Sequence, residues 1–350
     1  MPNVAQMNLQ ERLDGLARLG DWIRNRSDER LEAVIHRAQF HNPWFTTENQ
    51  RRALDAIADH LLDRDKLAAW AARYAVPERP APLTVAMVMA GNIPLVGFHD
   101  LICTFAAGCK ASVRLSDKDA YLLPFLLQQL EHLAPGSAGF FETIPVLQHF
   151  DAVIATGSNN SSRYFEAYFG KYPHVIRRNR NAVAVLDGQE SADQLHALGK
   201  DVFRYFGLGC RNVSKIYVPQ GYDFQLLLEK LHDYRELVLH PKYLNNFEYN
   251  LALVLLNQVP HFNNGCVVLT ENEAIASRIA MLHFSFYHSR EQLAGELGAH
   301  GDEIQCIVAR QPLQDLHTIP FGSTQEPGLL DYPDGVDVMA FLLSLLSPSD

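Results

Sequence analysis

The chain has five cysteines, at 103, 109, 210, 266 and 306, and none of them forms a CxxC pair. An odd, scattered set of thiols rules out a complete disulfide framework and suits a reducing cytoplasm, which is the expected location. The fifteen histidines show no HExxH or comparable spacing, so no metal site is expected. Positive charge is scarce: the formal net charge is −10, which argues against a nucleic-acid binder. The one basic cluster, Arg177, Arg178 and Arg180, is too short for a nucleic-acid arm but large enough to meet a phosphorylated cofactor. No apolar run reaches membrane-spanning length, and the N-terminus does not read as a signal peptide. Internal repeats and low-complexity stretches are missing too, as is any GxGxxG.

What remains is a soluble globular composition, 47% hydrophobic and 20% charged over 350 residues. That length exceeds what one core usually serves, so two domains are expected. Residues 1–76 read as a helical N-terminal segment. Within it Thr47-Glu-Asn-Gln50 has the T-x-x-Q form of a capping box and opens an amphipathic run towards Ala72. Pro77, Pro80 and Pro82 make a stiff linker.

From there the texture alternates. Leu83–Met89 reads as a strand, and a helix is expected from Pro94 to near Gly108. The strand Ala111–Leu115 precedes a helix from Asp119 to about His132, and the strand Ala152–Thr156 leads into a helix near Ser158. Strands alternating with helices indicate βαβ units and a parallel sheet, with ligands beyond the carboxyl ends of its strands. We assign residues 77–179 to a nicotinamide cofactor-binding domain. A second alternating set, residues 180–322, comprises strand Ala182–Leu186, helix Ser191–Phe206 and strand Lys215–Val218. Further strand-like runs lie at Cys266–Leu269, Ile279–Phe286 and Ile304–Val308. Residues 323–350 return to the first domain or to a dimer interface, with Asp337–Leu346 as a terminal helix or strand.

Between the second set's first helix and second strand lies Phe206-Gly-Leu-Gly-Cys-Arg-Asn212, a thiol among glycines at an element junction. A thiol attacks as thiolate and needs partial exposure, whereas a structural cysteine is packed away. Cys210 fits the first description by position. Cys103, Cys109, Cys266 and Cys306 fall in apolar runs and read as core. His99-Asp100 invites a Cys-His-Asp triad but sits in an expected helix and reads as structural.

Three strand ends carry polar groups. Ala90-Gly91-Asn92-Ile93-Pro94 ends the first strand; Asn92 is either an N-cap, with Pro94 in the first turn, or an amide donor into the crevice. Arg114 and Ser116 end the second, where a cation meets a 2′-phosphate or is simply solvated or paired with a carboxylate. Thr156-Gly157-Ser158 ends the third, as a phosphate-binding turn or an ordinary loop with a serine cap.

Together these segments resemble the aldehyde dehydrogenase superfamily, and more closely its fatty acyl-CoA reductase branch of the bioluminescence-operon type, from about Thr84 to Phe341. Met89–Leu95 is similar to that family's oxyanion segment, which puts the oxyanion amide on Asn92. Ala111–Ser116 is similar to its adenosine-ribose segment, Ile154–Ser158 to its nicotinamide-side turn, and Phe206–Lys215 to its nucleophile segment. Glu273 pairs with the acid on the nicotinamide ribose, and Pro320-Phe-Gly322 resembles the closing segment. The resemblance implies an aldehyde dehydrogenase-like fold of two Rossmann-like parallel-sheet α/β domains with a helical N-terminal segment. It also implies a homo-oligomer and the cofactor NADPH, with NADH as the other possibility. Catalytic roles fall on Cys210 and Asn92; cofactor contacts fall on Ala90, Gly91, Arg114, Ser116, Thr156, Gly157, Ser158 and Glu273.

Hydrolytic relatives carry a glutamate that activates water, but Val175–Val183 here contains no carboxylate. The expected reaction is therefore reduction of an acyl-CoA or acyl-protein thioester to the aldehyde through a thioacyl-enzyme. An acylating NAD(P)-dependent aldehyde dehydrogenase, a cofactor-independent cysteine thioesterase or acyltransferase, and a non-catalytic nucleotide-binding scaffold are the alternatives.

Overall fold

A computed structural model describes residues 7–25, 28–78 and 83–346. Of the expected proline linker, Pro77 is described, while Pro80 and Pro82 lie outside the described residues. The chain divides into two units, Met1–Asn179 with Pro327–Asp350, and Arg180–Glu326. No helix among the described residues is long and apolar enough to cross a membrane.

The first unit begins with α1 (Leu9–Asn25), α2 (Glu29–His41), α3 (Thr47–Ala56) and α4 (Arg64–Ala71). The capping box expected at Thr47 and Gln50 is not formed. The cap is Thr46, whose hydroxyl accepts the Asn49 N–H at 3.2 Å. Gln50 is buried, and its amide donates to Ile35 O at 2.9 Å and to Phe45 O, so tertiary packing has claimed it. The run towards Ala72 breaks at a π turn, Ile57–Leu61, after which Asp63 caps α4.

Next come β1 (Thr84–Val88), α5 (Phe98–Ala106), β2 (Lys110–Arg114), α6 (Leu122–Leu133), β3 (Phe141–Thr143), β4 (Ala152–Thr156), α7 (Asn159–Phe169) and β5 (His174–Arg177). The five strands pair in parallel in the order β3-β2-β1-β4-β5. Strand side chains alternate between faces. Val85, Met87 and Val113 therefore join Leu16 of α1, Leu101 of α5 and Leu126 of α6 in one core. Ala86, Val153 and Ala155 face the other way, towards Phe165 and Phe169 of α7. The C-terminal helix Val338–Leu346 adds Val338, Met339 and Leu342 to the first core.

Two further expectations fail. The helix after β1 begins at Phe98, with Gly97 at its cap, so Pro94 lies outside it and Asn92 does not cap it. The cause is a turn over residues 92–97 in which Leu95 takes a left-handed φ of 58°. Nor do the three arginines form a cationic patch. Arg177 is buried in a bidentate pair with Asp100, with Nη2 donating to Oδ1 at 2.9 Å. Arg178 pairs with Glu166 at 2.6 Å, and Arg180 donates to Gly301 O at 2.9 Å. His99 Nε2 lies 3.0 Å from Leu329 O, so the His99-Asp100 dipeptide is structural.

The second unit contains β6 (Asn181–Val185), α8 (Ala192–Phe203), β7 (Val213–Pro219), α9 (Gln225–His232), α10 (Pro241–Leu256), β8 (His261–Asn263), β9 (Val268–Glu271), β10 (Met281–Tyr287), α11 (Arg290–Ala299), β11 (Ile304–Ala309) and β12 (Thr318–Ile319). Its seven strands run in the order β12-β11-β6-β7-β10-β9-β8. All pair in parallel except β8, which is antiparallel to β9. Ser191 caps α8 in a full capping box with Gln194. Leu195 and Leu198 of α8 pack with Ile216 and Val218 on one face, and Leu293 and Leu297 of α11 pack with Val183 and Val185 on the other.

The Asp100–Arg177 pair ties α5 to β5 with both side chains only 4% exposed. Removing one partner strands the other charge in the interior, at about 3–5 kcal/mol. Asp100→Ala is expected to lower the unfolding free energy by that amount in urea titration, and Asp100→Leu with Arg177→Met to recover most of it.

Candidate active site

In the first unit the sheet order reverses at β1, so the crevice lies outside the carboxyl ends of β1 and β4. Ala90, Gly91 and Asn92 follow β1, Ser116 follows β2, and Thr156 closes β4 just before Gly157 and Ser158. Gly91 sits directly on Ser116: a Cβ added to the glycine would lie 2.6 Å from Ser116 Cβ. Gly157 is equally constrained, because a Cβ there would meet Phe165 Cε2 at 2.7 Å and Ser161 Cβ at 2.8 Å. Glycine at these positions lets the backbone at the crevice stay close to its neighbours. Ser158 caps α7, its hydroxyl accepting the Ser161 N–H at 3.2 Å. Arg114 is exposed at the end of β2, with no carboxylate at ion-pair distance among the described residues.

Asp119 is a residue the sequence reading gave no role. Its carboxylate accepts the N–H of left-handed Leu95 at 2.8 Å and so fixes the turn that follows Asn92. Its second oxygen is buried without a hydrogen-bond partner. Burial pushes this carboxyl up to about 6, opposed by the Leu95 hydrogen bond.

In the second unit the thiol turn lies at the amino end of β7. Gly209 O accepts the Asn212 N–H at 3.0 Å, which places Cys210 and Arg211 at the bend. The Asn212 side chain closes the same turn, Oδ1 accepting the Gly209 N–H at 2.7 Å. Its Nδ2 donates to Asp201 O at 3.0 Å, Val202 O at 3.3 Å and Arg204 O at 2.9 Å. These carbonyls belong to the end of α8, where no intrahelical donor remains. One amide therefore caps the helix and locks the turn. The chain reverses between them through three successive left-handed residues, Tyr205, Phe206 and Gly207, with φ of 53°, 59° and 75°. At a non-glycine residue that conformation costs about 1–3 kcal/mol and persists only where its surroundings enforce it. The Phe206 ring, 4.5 Å from that of His240, supplies part of that enforcement.

None of the five cysteines is in a disulfide, and they differ in exposure. Cys103, Cys109 and Cys266 are buried, as expected, and burial pushes the Cys109 and Cys266 thiols up to about 12 and raises Cys103 as well. Cys210 is half-buried. So is Cys306, which only partly joins the core that the sequence assigned to it.

Asp201, fully buried near the end of α8, accepts the N–H groups of Gly322 at 2.6 Å and Thr324 at 3.0 Å. It thereby anchors Pro320-Phe-Gly322 to the helix that precedes the thiol. Beyond Cys210, β7 carries a bulge against β6 at Ser214. Ser214 Oγ donates to Ile275 O and Lys215 Nζ to Glu273 O, each at 2.7 Å. On β10, His283, the register partner of Lys215, holds Ala274 O at 2.8 Å through Nδ1, and Ser285 Oγ reaches Asn272 O at 3.3 Å. Carbonyls 272 to 275 are thus each gripped from the sheet below. Glu273 is fixed through its backbone while its side chain stays exposed. Among the described residues, no three His, Cys, Asp or Glu are grouped to hold a metal ion.

No protein-family model and no curated protein sequence matches the chain. Solved structures match its fold. Aldehyde dehydrogenase 21 from Physcomitrella patens, in complex with the reaction product succinate, is 13% identical over 99% of this chain and 86% of its own, with a TM-score of 0.68. Betaine aldehyde dehydrogenase from Staphylococcus aureus, in complex with NAD+, is 11% identical over 89% and 76%, with a TM-score of 0.64. An NAD-dependent aldehyde dehydrogenase from Sinorhizobium meliloti is 13% identical over 83% and 68%, with a TM-score of 0.60. The fold is aldehyde dehydrogenase-like: two parallel-sheet α/β units preceded by helices.

Truncating Asn212 to alanine strands the buried Gly209 N–H and the last carbonyls of α8, a loss of about 2–4 kcal/mol. Urea unfolding of Asn212→Ala should show it, together with a changed rate of Cys210 modification by a disulfide reagent. Asp119 binds its proton more tightly folded than unfolded. Its stabilising contribution is therefore complete below the usual 3.8 and lost as pH rises through about 6. Asp119→Asn keeps an oxygen for Leu95 and cannot ionise. Relative to that variant, the unmodified chain should lose on the order of 3 kcal/mol between pH 4 and pH 7, read from unfolding curves at each pH.

Proposed function

We propose that the protein reduces acyl thioesters to aldehydes with NADPH, through a thioacyl-enzyme on Cys210. The observation that carries this reading is the contrast among the thiols: Cys210 alone combines partial exposure with a turn locked by a buried side chain. A fixed, accessible thiol is what covalent catalysis requires, since the nucleophile must meet a carbonyl repeatedly in one geometry.

Cys210 attacks the thioester carbonyl. Its Sγ–C bond forms as the donor's C–S bond breaks, and the donor thiol leaves with the proton. The amide of Asn92 and the backbone N–H of Cys210 are assigned to the oxyanion; loss of one such donor typically costs ~10²–10³ in rate. NADPH, when bound, supplies the hydride. The thiohemiacetal on Cys210 then releases aldehyde, and the sulfur regains its proton.

The first unit fits such a cofactor. Gly91 and Gly157 let the backbone close onto Ser116 and Phe165, Ser158 and Gly157 present an α7 N-terminus, and Arg114 has no carboxylate partner among the described residues. Ala90, Ser116 and Thr156 complete that contact surface, and Glu273 is assigned to the nicotinamide ribose. A cation at Arg114 favours the 2′-phosphate of NADPH over NADH. Between Val175 and Val183 no carboxylate is present to activate water, which favours a thiol over water as the acyl group's partner. The same reading carries a cytoplasmic homo-oligomer.

The second reading is NAD-dependent aldehyde oxidation, favoured by the betaine aldehyde dehydrogenase that shares the fold and holds NAD+.

Cys210→Ser should fold, bind NADPH and lose acyl-CoA-dependent NADPH oxidation by at least 10³-fold, with mass spectrometry locating the acyl adduct on Cys210 in the unmodified chain. Turnover retained in the serine variant would sink the reading. Faster oxidation of aldehyde with NAD+ in the absence of any acceptor thiol would favour the second.

A further inference from the structure

The connection between β1 and α5, residues 89–97, carries Asn92 and is fixed at both ends by regular elements. Inside it Leu95 keeps a left-handed φ of 58°, which a leucine adopts only where its surroundings enforce it. Relaxing Leu95 to the usual negative φ would turn the chain by roughly 120° at that point. Asn92 and its neighbours would then have to take another path between the same two ends. The turn is also tightly seated, since a Cβ on Gly97 would collide with Met89 Sδ.

The enforcing group is Asp119, whose Oδ2 accepts the Leu95 N–H at 2.8 Å. The residue is buried, and its Oδ1 has no hydrogen-bond partner. A carboxylate accepts an N–H more strongly than a neutral group does, and here that strength goes to a single strained residue.

Asp119 is in turn anchored from the helical N-terminal segment. Ser116 folds the loop after β2 into a turn, its carbonyl accepting the Asp119 N–H at 3.0 Å and its hydroxyl the Lys118 N–H at 3.3 Å. His41 donates from Nε2 to Asp117 O at 2.7 Å, and Asn42 donates from Nδ2 to Lys118 O at 3.2 Å. Two successive carbonyls are thus held by the last residue of α2 and its cap. Tyr121 packs against the same helix, its ring centroid 5.3 Å from that of His41 and 4.6 Å from the Arg37 guanidinium. A rigid helix fixes the loop, the loop presents Asp119, and Asp119 fixes the turn that bears Asn92.

We propose that Asp119 is a positioning residue for the oxyanion amide of Asn92, with α2 as its anchor, so that the helical N-terminal segment serves to aim that donor. The proposal rests on the acyl-thioester reading above. An oxyanion donor works only when it is already aimed at the place where charge develops. A misplacement of about 1 Å can slow the reaction ~10²-fold.

Single-turnover acylation of Cys210 by octanoyl-CoA without NADPH, followed by rapid quench and mass spectrometry of the full chain, tests it. Asp119→Leu is expected to slow acylation by about tenfold or more, and Asp119→Asn, which keeps an acceptor for Leu95, to stay within about threefold of the parent. Asn92→Ala alone should lose ~10²–10³-fold. Adding Asp119→Leu to it should lose less than about twofold more, because a donor that is gone cannot be misplaced. His41→Ala, at an exposed position, carries the test if Asp119→Leu does not fold, and its smaller loss must likewise vanish in the Asn92→Ala background. Losses that multiply in the double variant, or parent-like acylation in Asp119→Leu, overturn the proposal. Hydrogen exchange gives a readout independent of the chemistry: Asp119→Leu should exchange faster at residues 92–97 with the Cys210 turn unchanged, and unaltered exchange at 92–97 also overturns the proposal. Should exchange rise there while Cys210 of the parent never acylates, the anchoring by Asp119 stands and the thioester reading falls.

Discussion

The Asn212 side chain joins two things that the backbone alone would leave apart, the carboxyl end of α8 and the turn that bears Cys210. A buried primary amide has one strong acceptor and two donor hydrogens; here the oxygen takes the Gly209 N–H, and the two hydrogens are shared among the carbonyls of Asp201, Val202 and Arg204. Because an unmet polar group in the interior costs more than the same bond gains, the arrangement is favoured chiefly by what its absence would leave exposed. The left-handed run at Tyr205–Gly207 is tolerable for the same reason: the chain must reverse within a few residues to bring Asn212 back beneath the helix.

A similar economy governs the rest of the second unit. Asp201, two residues before the end of α8, takes two N–H groups from residues more than a hundred positions away in sequence, and Lys215 and His283 hold carbonyls of the segment after β9. In each case a rigid helix or strand supplies the side chain and an irregular segment supplies the backbone. Loops held in this way keep a defined shape without regular hydrogen bonding of their own. In the first unit Asp119 does the same for the turn after Asn92, at the cost of a carboxyl oxygen with no partner.

Legibility in the sequence followed the range of the interactions. The longer strands β1, β2, β4, β6, β7, β10 and β11 announce themselves as apolar runs, and the serine caps of α7 and α8 are local signals that the structure uses as written. Strands β3, β5, β8 and β12, of two to four residues, are too short to show a period, and the helices between β7 and β11 went unassigned. Errors arose where distant residues intervened. Leu95 is held by Asp119, so the helix starts at Phe98 instead of at Pro94. Arg177 is claimed by Asp100 on another element, and Gln50 by carbonyls outside its own helix. Asn212 stood in view two residues after the thiol, but its partners lie across the α8 end and carry no mark in the sequence.

Both sheets taper at their margins. The outermost strands are β3 and β5 in one and β12 and β8 in the other, each between two and four residues long. A visiting polypeptide finds only a few open amide and carbonyl groups along any rim, too few to extend the sheet by strand addition. Run-on β-polymerisation is therefore discouraged by geometry.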